Sequence, residues 1–147
     1  MTTIEERIDA LLGRMTLEEK VALCHAGSKF AVAPNARLGI PEFWMSDGPH
    51  GVRREVNRDN WDPVETDEDF ATYLPPGSSL ASTWNPALAR RFGEVLGAEA
   101  RARGKDVILG PGINIVRMPT CGRNFEYYGE DPFQISALVV PAIQGIQ

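Results

Sequence analysis

Cysteine and histidine are scarce in this sequence of 147 residues, and positive charge is in deficit. Its two cysteines, Cys24 and Cys121, lie far apart and belong to no Cys-x-x-Cys pair, so we expect neither a metal site nor a disulfide framework. We expect both to be buried free thiols. The 15 basic and 20 acidic side chains give a net charge of −5, which repels nucleic acid phosphates and anionic membrane surfaces, so we expect no nucleic acid partner.

Long apolar runs are also missing from the sequence. No stretch approaches the roughly 18 consecutive apolar residues that a membrane-spanning helix needs, so we expect no membrane partner. Residues 1–7 lack the basic and then apolar order of a secretion signal, which favours a cytoplasmic location. The composition, with 43% hydrophobic and 24% charged residues, is typical of a globular domain with its own core.

Residues 1–30 predict two short helices that precede the main domain. Thr3 with Glu6, and Thr16 with Glu19, have the spacing of two capping boxes, in which hydroxyl and carboxylate each satisfy a backbone N–H group. Apolar residues recur at helical spacing behind the first of these boxes. We therefore interpret residues 1–30 as a helical lead-in.

Three short runs further along the chain predict strands, at residues 43–45, 78–82 and 106–109. Asn85 followed by Pro86 has the form of a helix N-cap and first helical residue, and a clear apolar stripe follows it. Strand, helix and strand of these lengths form the crossover unit of a parallel sheet, so the sequence predicts an α/β fold.

Two segments interrupt this pattern. Residues 54–73 mix many charges and show neither period, which predicts a charged loop insertion. Trp61 in that loop is a candidate to stack on a sugar at a distal subsite. A last helix is predicted to begin at Asp131 and Pro132, and Pro141 inside it predicts a kink or an early end.

Polar residues that follow parallel strands gather at one face of the sheet, where active sites form. Asp47 follows the first predicted strand, and Arg123 lies in a polar and aromatic loop after the third, with Asn124 and Glu126 beside it. A carboxylate and a guanidinium that converge on one pocket grip hydroxyl groups through charge-assisted hydrogen bonds, which suits a sugar better than an apolar ligand.

Each of these patterns also has a purely structural interpretation. Asp-Gly-Pro, taken alone, is more often an ordinary turn, and the run around Arg123 is equally compatible with a structural ion pair. Residues 110–112 lack the third glycine of a dinucleotide-binding loop. His50 is expected at the rim of the pocket without acting as a base, whereas Trp44 and Trp84 are expected to pack in the core.

In combination, five ordered blocks of the sequence resemble the opening of glycoside hydrolase family 3, the β-glucosidase group. They are residues 15–21 (MTLEEKV), 38–41 (LGIP), 46–53 (SDGPHGVR), 109–115 (LGPGINI) and 119–132 (PTCGRNFEYYGEDP). The resemblance covers nearly the whole chain except the insertion.

The resemblance implies that residues 1–147 are an incomplete N-terminal domain, the first few β/α units of a (β/α)8 TIM-type barrel preceded by two helices. A whole barrel takes about 250 residues. The implied activity is the retaining hydrolysis of terminal non-reducing β-D-glucosyl residues from glucosides or short β-linked oligosaccharides. By the same resemblance, Asp47 and Arg123 bind hydroxyls of the sugar in the −1 subsite, with Arg53 and Glu126 as supports. Neither a metal nor a cofactor is expected.

Other parts of the family's machinery are expected beyond Gln147: the nucleophilic aspartate, the glutamate acid/base and a Lys-His pair of the sugar clamp. We therefore expect no catalytic residue in this chain and no activity from it alone, because a double displacement needs both carboxyl groups. The expected partner is the rest of the barrel with a C-terminal domain, on the same or a separate chain. The alternative is a non-catalytic sugar-binding or interaction module that a second polypeptide completes.

Overall fold

The structure is a computed structural model that describes residues 2–53 and 71–147. These residues form two compact units, the first made of residues 2–44 and the second of residues 45–53 and 71–147. The predicted insertion at residues 54–73 lies outside the described residues as far as residue 70, and so does Trp61. Within the described ranges, no helix is both long and apolar enough to cross a membrane.

The first unit begins with both predicted helices, α1 (Ile4–Arg14) and α2 (Leu17–Ala22). Each begins with a complete capping box, because the threonine hydroxyl accepts from the glutamate N–H and the glutamate carboxylate accepts from the threonine N–H. A short strand, β1 (Ala31–Val32), then pairs antiparallel with the first residues of β2 (Phe43–Ser46).

One ion pair in the first unit joins α2 to the turn that precedes β2. Arg37 donates from Nε to Glu19 Oε1 over 2.7 Å and from Nη2 to the carbonyl oxygen of Arg14 over 2.8 Å. Glu19 is also the capping-box carboxylate of α2. The hydrogen bond from Arg37, followed by the one from Thr16, lowers the pKa of Glu19 to about 2.

The second unit contains a parallel crossover, as the sequence predicts, although its first strand is β2. Met45 and Ser46 of β2 pair in parallel with β3 (Val107–Ile108), and two helices, α3 (Gly77–Ala81) and α4 (Pro86–Ala102), lie between these strands in the chain. The predicted strand at residues 78–82 is therefore wrong. The buried residues of that segment recur at helical spacing: Gly77, Leu80 and Ala81.

The core of the second unit lies largely between α4 and the last helix, α5 (Pro132–Ile146). The two helices approach so closely that a Cβ on Gly93 would lie 2.0 Å from the carbonyl oxygen of Ala142. The expectation that α5 ends early at Pro141 is wrong, because the helix continues to Ile146. Burial of Ala142 against α4 holds the turn after the proline in place.

Two short strands occur where the sequence suggested only a loop. They are β4 (Gly112–Ile115) and β5 (Tyr127–Gly129), and they pair in parallel. Between them lies a 3-10 turn, Asn124–Glu126, that carries the polar residues of the predicted site. The described fold is therefore α/β, with several helices and a few short strands.

Two expectations about burial are wrong. Cys24 and Cys121 are exposed thiols, because the first lies in the turn after α2 and the second in the loop before the 3-10 turn. Trp84 is 70% exposed in the turn that joins α3 to α4, with a positive φ of 51°, so it does not pack in the core. Trp44 in β2 is half-buried.

Candidate functional site

The residues that follow β2 form a closed loop, residues 47–53, which we call the Asp47 loop. A Cβ on Gly48 would lie 2.1 Å from the carbonyl oxygen of Gly51, and Gly48 has a φ of +114°, so only glycine fits there. The Asp47 carboxylate accepts a hydrogen bond from the Gly48 N–H over 2.9 Å. The Asp-Gly-Pro run is therefore a tight turn, as its alternative interpretation predicted, and Asp47 begins it directly after the carboxyl end of β2.

Ser46, a residue that the sequence analysis did not single out, closes this loop from inside. Its side chain is fully buried, and its hydroxyl lies 2.8 Å from the carbonyl oxygen of Asp47 and 3.1 Å from that of Arg53. The Arg53 N–H also donates to the Asp47 carbonyl oxygen over 3.4 Å. Arg53 is therefore held at the end of the loop by its backbone, while the residue itself is exposed.

Arg123 and Glu126 form a two-pronged ion pair across the 3-10 turn. Arg123 donates from Nε to Oε1 and from Nη2 to Oε2 of Glu126, each over 2.8 Å. The pair raises the pKa of the Arg123 guanidinium and lowers the pKa of the Glu126 carboxyl. The structural ion pair that the sequence left open is therefore present.

The same ion pair leaves binding capacity at Arg123. Its side chain is 70% exposed, whereas that of Glu126 is 17% exposed. A guanidinium has five N–H donors, and Glu126 engages two of them, so within residues 2–53 and 71–147 three remain for other acceptors. Asp47 also lies near enough for its charge to raise the pKa of Arg123, although less than Glu126 does. The structure thus joins Arg123 to Glu126 by hydrogen bonds, whereas Asp47 acts on Arg123 through its charge.

Asn124 plays a different part from the one its position suggested. Its side-chain amide donates to the carbonyl oxygens of Met118 and Pro119, over 2.8 and 3.3 Å. Asn124 therefore ties its own loop together. Two glycines pack closely against the backbone of Glu126. A Cβ on Gly77 would lie 2.5 Å from the Glu126 carbonyl oxygen, and a Cβ on Gly112 would lie 2.9 Å from it. Neither glycine was assigned to the site from the sequence.

His50 lies beside this group, at the wall of an open cavity of about 250 Å³ that is lined by residues 48–51 and 71–73. Its Nε2 accepts a hydrogen bond from the Gly77 N–H over 3.3 Å. Burial lowers the pKa of His50, against the opposing effect of the Glu126 charge. His50 thus lies at the wall of this cavity, and its place at the rim of a sugar pocket stays a prediction.

The chemistry available here is hydrogen bonding to hydroxyl groups. A carboxylate that only accepts and a guanidinium that only donates stand on two neighbouring loops, which suits a ligand with several hydroxyls in fixed positions. Residues 2–53 and 71–147 contain no group of three or more histidine, cysteine, aspartate or glutamate side chains that could hold a metal ion.

Comparison with known proteins gives one consistent family. Residues 9–147 match the profile described as the glycosyl hydrolase family 3 N terminal domain. A β-glucosidase of Bacteroides ovatus is 54% identical over 98% of this chain, which covers 19% of that relative. An exo-α-(1→6)-L-arabinopyranosidase of Bifidobacterium longum is 38% identical over 90% of this chain and 18% of its own length.

A solved structure agrees with these relatives. The structure of β-glucosidase 3B from Thermotoga neapolitana, in complex with α-D-glucose, is 36% identical and superposes with a TM-score of 0.81. That match covers 97% of this chain and 21% of the solved one. The chain therefore spans about a fifth of the length of the proteins that it matches.

Proposed function

This chain belongs to glycosyl hydrolase family 3, and from that membership we propose that it supplies the N-terminal part of the catalytic barrel of a retaining β-glucosidase. Its relatives include β-glucosidases, and a similar solved chain is in complex with glucose. The proposed substrate is a glucoside or short β-linked oligosaccharide with a terminal non-reducing β-D-glucosyl residue.

The proposed architecture is the first few β/α units of a (β/α)8 barrel. Two parallel strand pairs support it, β2 with β3 and β4 with β5, and helices connect β2 to β3 as in a barrel. The proposed partner is the remainder of that barrel with a further domain, because the relatives are about five times as long as this chain.

We further propose that Asp47 and Arg123 bind hydroxyls of the glucosyl ring in the −1 subsite. The observation that carries this proposal is that the exposed Arg123 guanidinium keeps three N–H groups among the described residues, on a turn that the Asp47 loop contacts through the His50 and Phe125 rings. Glu126 supports Arg123 by holding one edge of its guanidinium. The proposed supporting role of Arg53, and that of Trp61 at a distal subsite, rest on the sequence resemblance.

Residues 1–147 on their own are proposed to be inactive. The family's double displacement uses an aspartate nucleophile and a glutamate acid/base, and the motifs that resemble the family in this chain include neither. Without a nucleophile no glycosyl-enzyme intermediate forms, and without the acid the leaving oxygen departs unprotonated. Assay of the isolated chain on an aryl β-glucoside checks this. Turnover that survives purification to constant specific activity would contradict it.

A calorimetric titration of the chain with D-glucose tests the binding proposal. We expect Asp47→Asn and Arg123→Lys each to weaken binding on the order of tenfold, since each removes a charge-assisted or forked hydrogen bond. Asp9→Asn and Arg91→Lys make the same chemical changes at exposed helix positions and should leave binding unchanged. Equal affinity in all five proteins would refute the assignment of Asp47 and Arg123.

A second substrate has a specific observation in its favour. The Bifidobacterium longum relative is named as an arabinopyranosidase, and this chain is 38% identical to it. A carboxylate and a guanidinium that grip ring hydroxyls do not by themselves select one pyranose. L-Arabinose is therefore the second ligand of the titration. Tighter binding of L-arabinose than of D-glucose would replace the glucosyl assignment.

A further inference from the structure

His50 contacts both segments that pack against its loop. Its backbone carbonyl oxygen accepts from the Leu74 N–H over 2.7 Å, and its ring Nε2 accepts from the Gly77 N–H over 3.3 Å. Its ring also packs against that of Phe125, with the ring centres 6.0 Å apart and the planes tilted by 49°. One residue of the Asp47 loop thus contacts residues 74–77 and the turn that carries Arg123 and Glu126.

The charge around this ring comes from a defined source. Among the described residues, Glu126 on the 3-10 turn is the charged group that acts on the His50 ring. In the segment before α3, the titratable residue is Tyr73, which lines the same cavity as His50. Because Nε2 accepts from the Gly77 N–H, it carries no proton in this arrangement. The single ring proton is therefore on Nδ1, and the imidazole is neutral.

We propose that neutral His50 is a positioning residue that fixes the Asp47 loop against the Arg123–Glu126 turn, and so sets the spacing between the carboxylate and the guanidinium. This rests on the proposed function, because it concerns the same sugar site. His50 touches no sugar in this proposal. It acts through two contacts: its Nε2 accepts a hydrogen bond from the Gly77 N–H, and its ring packs against the Phe125 ring.

A pH dependence follows from this arrangement. Protonation of His50 turns Nε2 into a donor that faces the donor N–H of Gly77, so their hydrogen bond is lost. It also places a positive charge beside Glu126, where it competes with Arg123 for the carboxylate. Burial keeps the pKa of His50 below its ordinary value of 6.5. The positioning is therefore intact above that value and weakens as the pH falls through the lowered pKa.

The test uses NMR of the 147-residue chain between about pH 8 and about pH 5, the range in which a histidine titrates. In the wild type, the Gly77 amide and the Arg123 Nε–H signals should shift with the midpoint of the His50 ring. His50→Gln keeps an acceptor that does not titrate, so it should retain both signals and abolish their shared midpoint. His50→Ala should speed exchange of the Arg123 Nε–H by about fivefold, the effect of one lost hydrogen bond.

His25→Gln is the matched control, since His25 is exposed and belongs to the first unit, and it should reproduce the wild type. An Arg123 Nε–H signal with the same pH profile in wild type, His50→Gln and His50→Ala would overturn the proposal, and so would a proton on His50 Nε2 at neutral pH. These readouts need no ligand.

Titration with D-glucose separates this proposal from the proposed function. We expect the wild-type affinity to fall about tenfold between about pH 8 and about pH 5, and that of His50→Gln to stay nearly constant over this range. If the chain binds no glucose while the Arg123 signal follows His50, the sugar assignment fails and the positioning of Arg123 stands. If glucose binds with the same pH dependence in both proteins, the positioning role fails.

Discussion

The hydroxyl oxygen of Ser46 lies 3.1 Å from the carbonyl oxygen of Arg53, seven residues further along the chain. It also lies 2.8 Å from the carbonyl oxygen of Asp47. A single buried hydroxyl thus joins the two ends of the loop that begins with Asp47, so the conformation of that loop depends on a side chain that faces away from solvent.

Replacing Ser46 by alanine should lower the free energy of unfolding by about 1–2 kcal/mol, because the carbonyl oxygens of Asp47 and Arg53 lose the one buried O–H donor that they share. Urea denaturation of the purified chain measures this change. Ser136→Ala is the matched control, since that hydroxyl bonds the Phe133 carbonyl oxygen on an exposed helix face. Equal losses in the two variants would show that the Ser46 hydroxyl does not hold the loop.

The Glu126 carboxyl should stay ionised below its ordinary pKa of 4.5, because the Arg123 hydrogen bonds lower it. A carboxyl whose pKa is lowered by folding contributes stability that is complete above the unfolded pKa and is lost as the pH falls through the folded one. We therefore expect the ion pair to survive at pH 4.5 and to open in stronger acid. Carbon-detected NMR titration of the carboxyl follows this directly, and Arg123→Gln should return the midpoint toward the ordinary value.

Gly93→Ala should destabilise α4 by about 3 kcal/mol, because its new methyl group would collide with the backbone of α5 at Ala142. Gly13→Ala is the same change in α1, where a Cβ meets nothing within 4 Å. It should stabilise that helix by about 0.5 kcal/mol, since alanine favours the helix over glycine. Hydrogen exchange of the amides in each helix measures both effects. The two substitutions should change helix stability in opposite directions. A gain or a loss of stability in both would contradict the close approach of α4 and α5.

Glu19→Gln should destabilise the first turn of α2 at neutral pH more than Glu6→Gln destabilises that of α1. Both glutamates close a capping box, but only Glu19, of the two, also accepts from Arg37 in the described residues. Because the pKa of Glu19 is lowered to about 2, the difference should persist at pH 4.5 and disappear as the pH falls toward 2. Amide exchange at Lys20 reports on α2. A difference that vanishes already above pH 4.5 would argue against the ion pair with Arg37.

The parts of the fold that could be predicted from the sequence depend on neighbours a few residues apart. The capping boxes at Thr3 and Thr16 and the N-cap at Asn85 involve groups within three residues, so local spacing determines them. The strand predicted at residues 78–82 was wrong because a run of five residues, three of them serine, is too short for its apolar spacing to distinguish a helix from a strand. The β4 and β5 strands have four and three residues and pair across a long loop, which local patterns do not report.

The candidate site divides in the same way. Asp47 at the end of β2 and the Arg123–Glu126 pair, three residues apart, both follow from local sequence. The contact of His50 with Gly77 spans 27 residues, and it forms only when α3 packs beside the Asp47 loop. Cys121 was expected to be buried, because free cysteines usually are, but it is exposed in the polar loop that the sequence itself indicated.

In the folded chain, Glu126 holds the side chain of Arg123 in one orientation. An unrestrained arginine has several rotatable bonds, and a ligand that binds it must remove that freedom, which lowers the affinity. In this chain the two bonds to Glu126 have already removed it, although the guanidinium remains open to solvent. A ligand that bound Arg123 would therefore remove little side-chain freedom from the protein, because the Glu126 carboxylate already sets the direction of the remaining N–H groups.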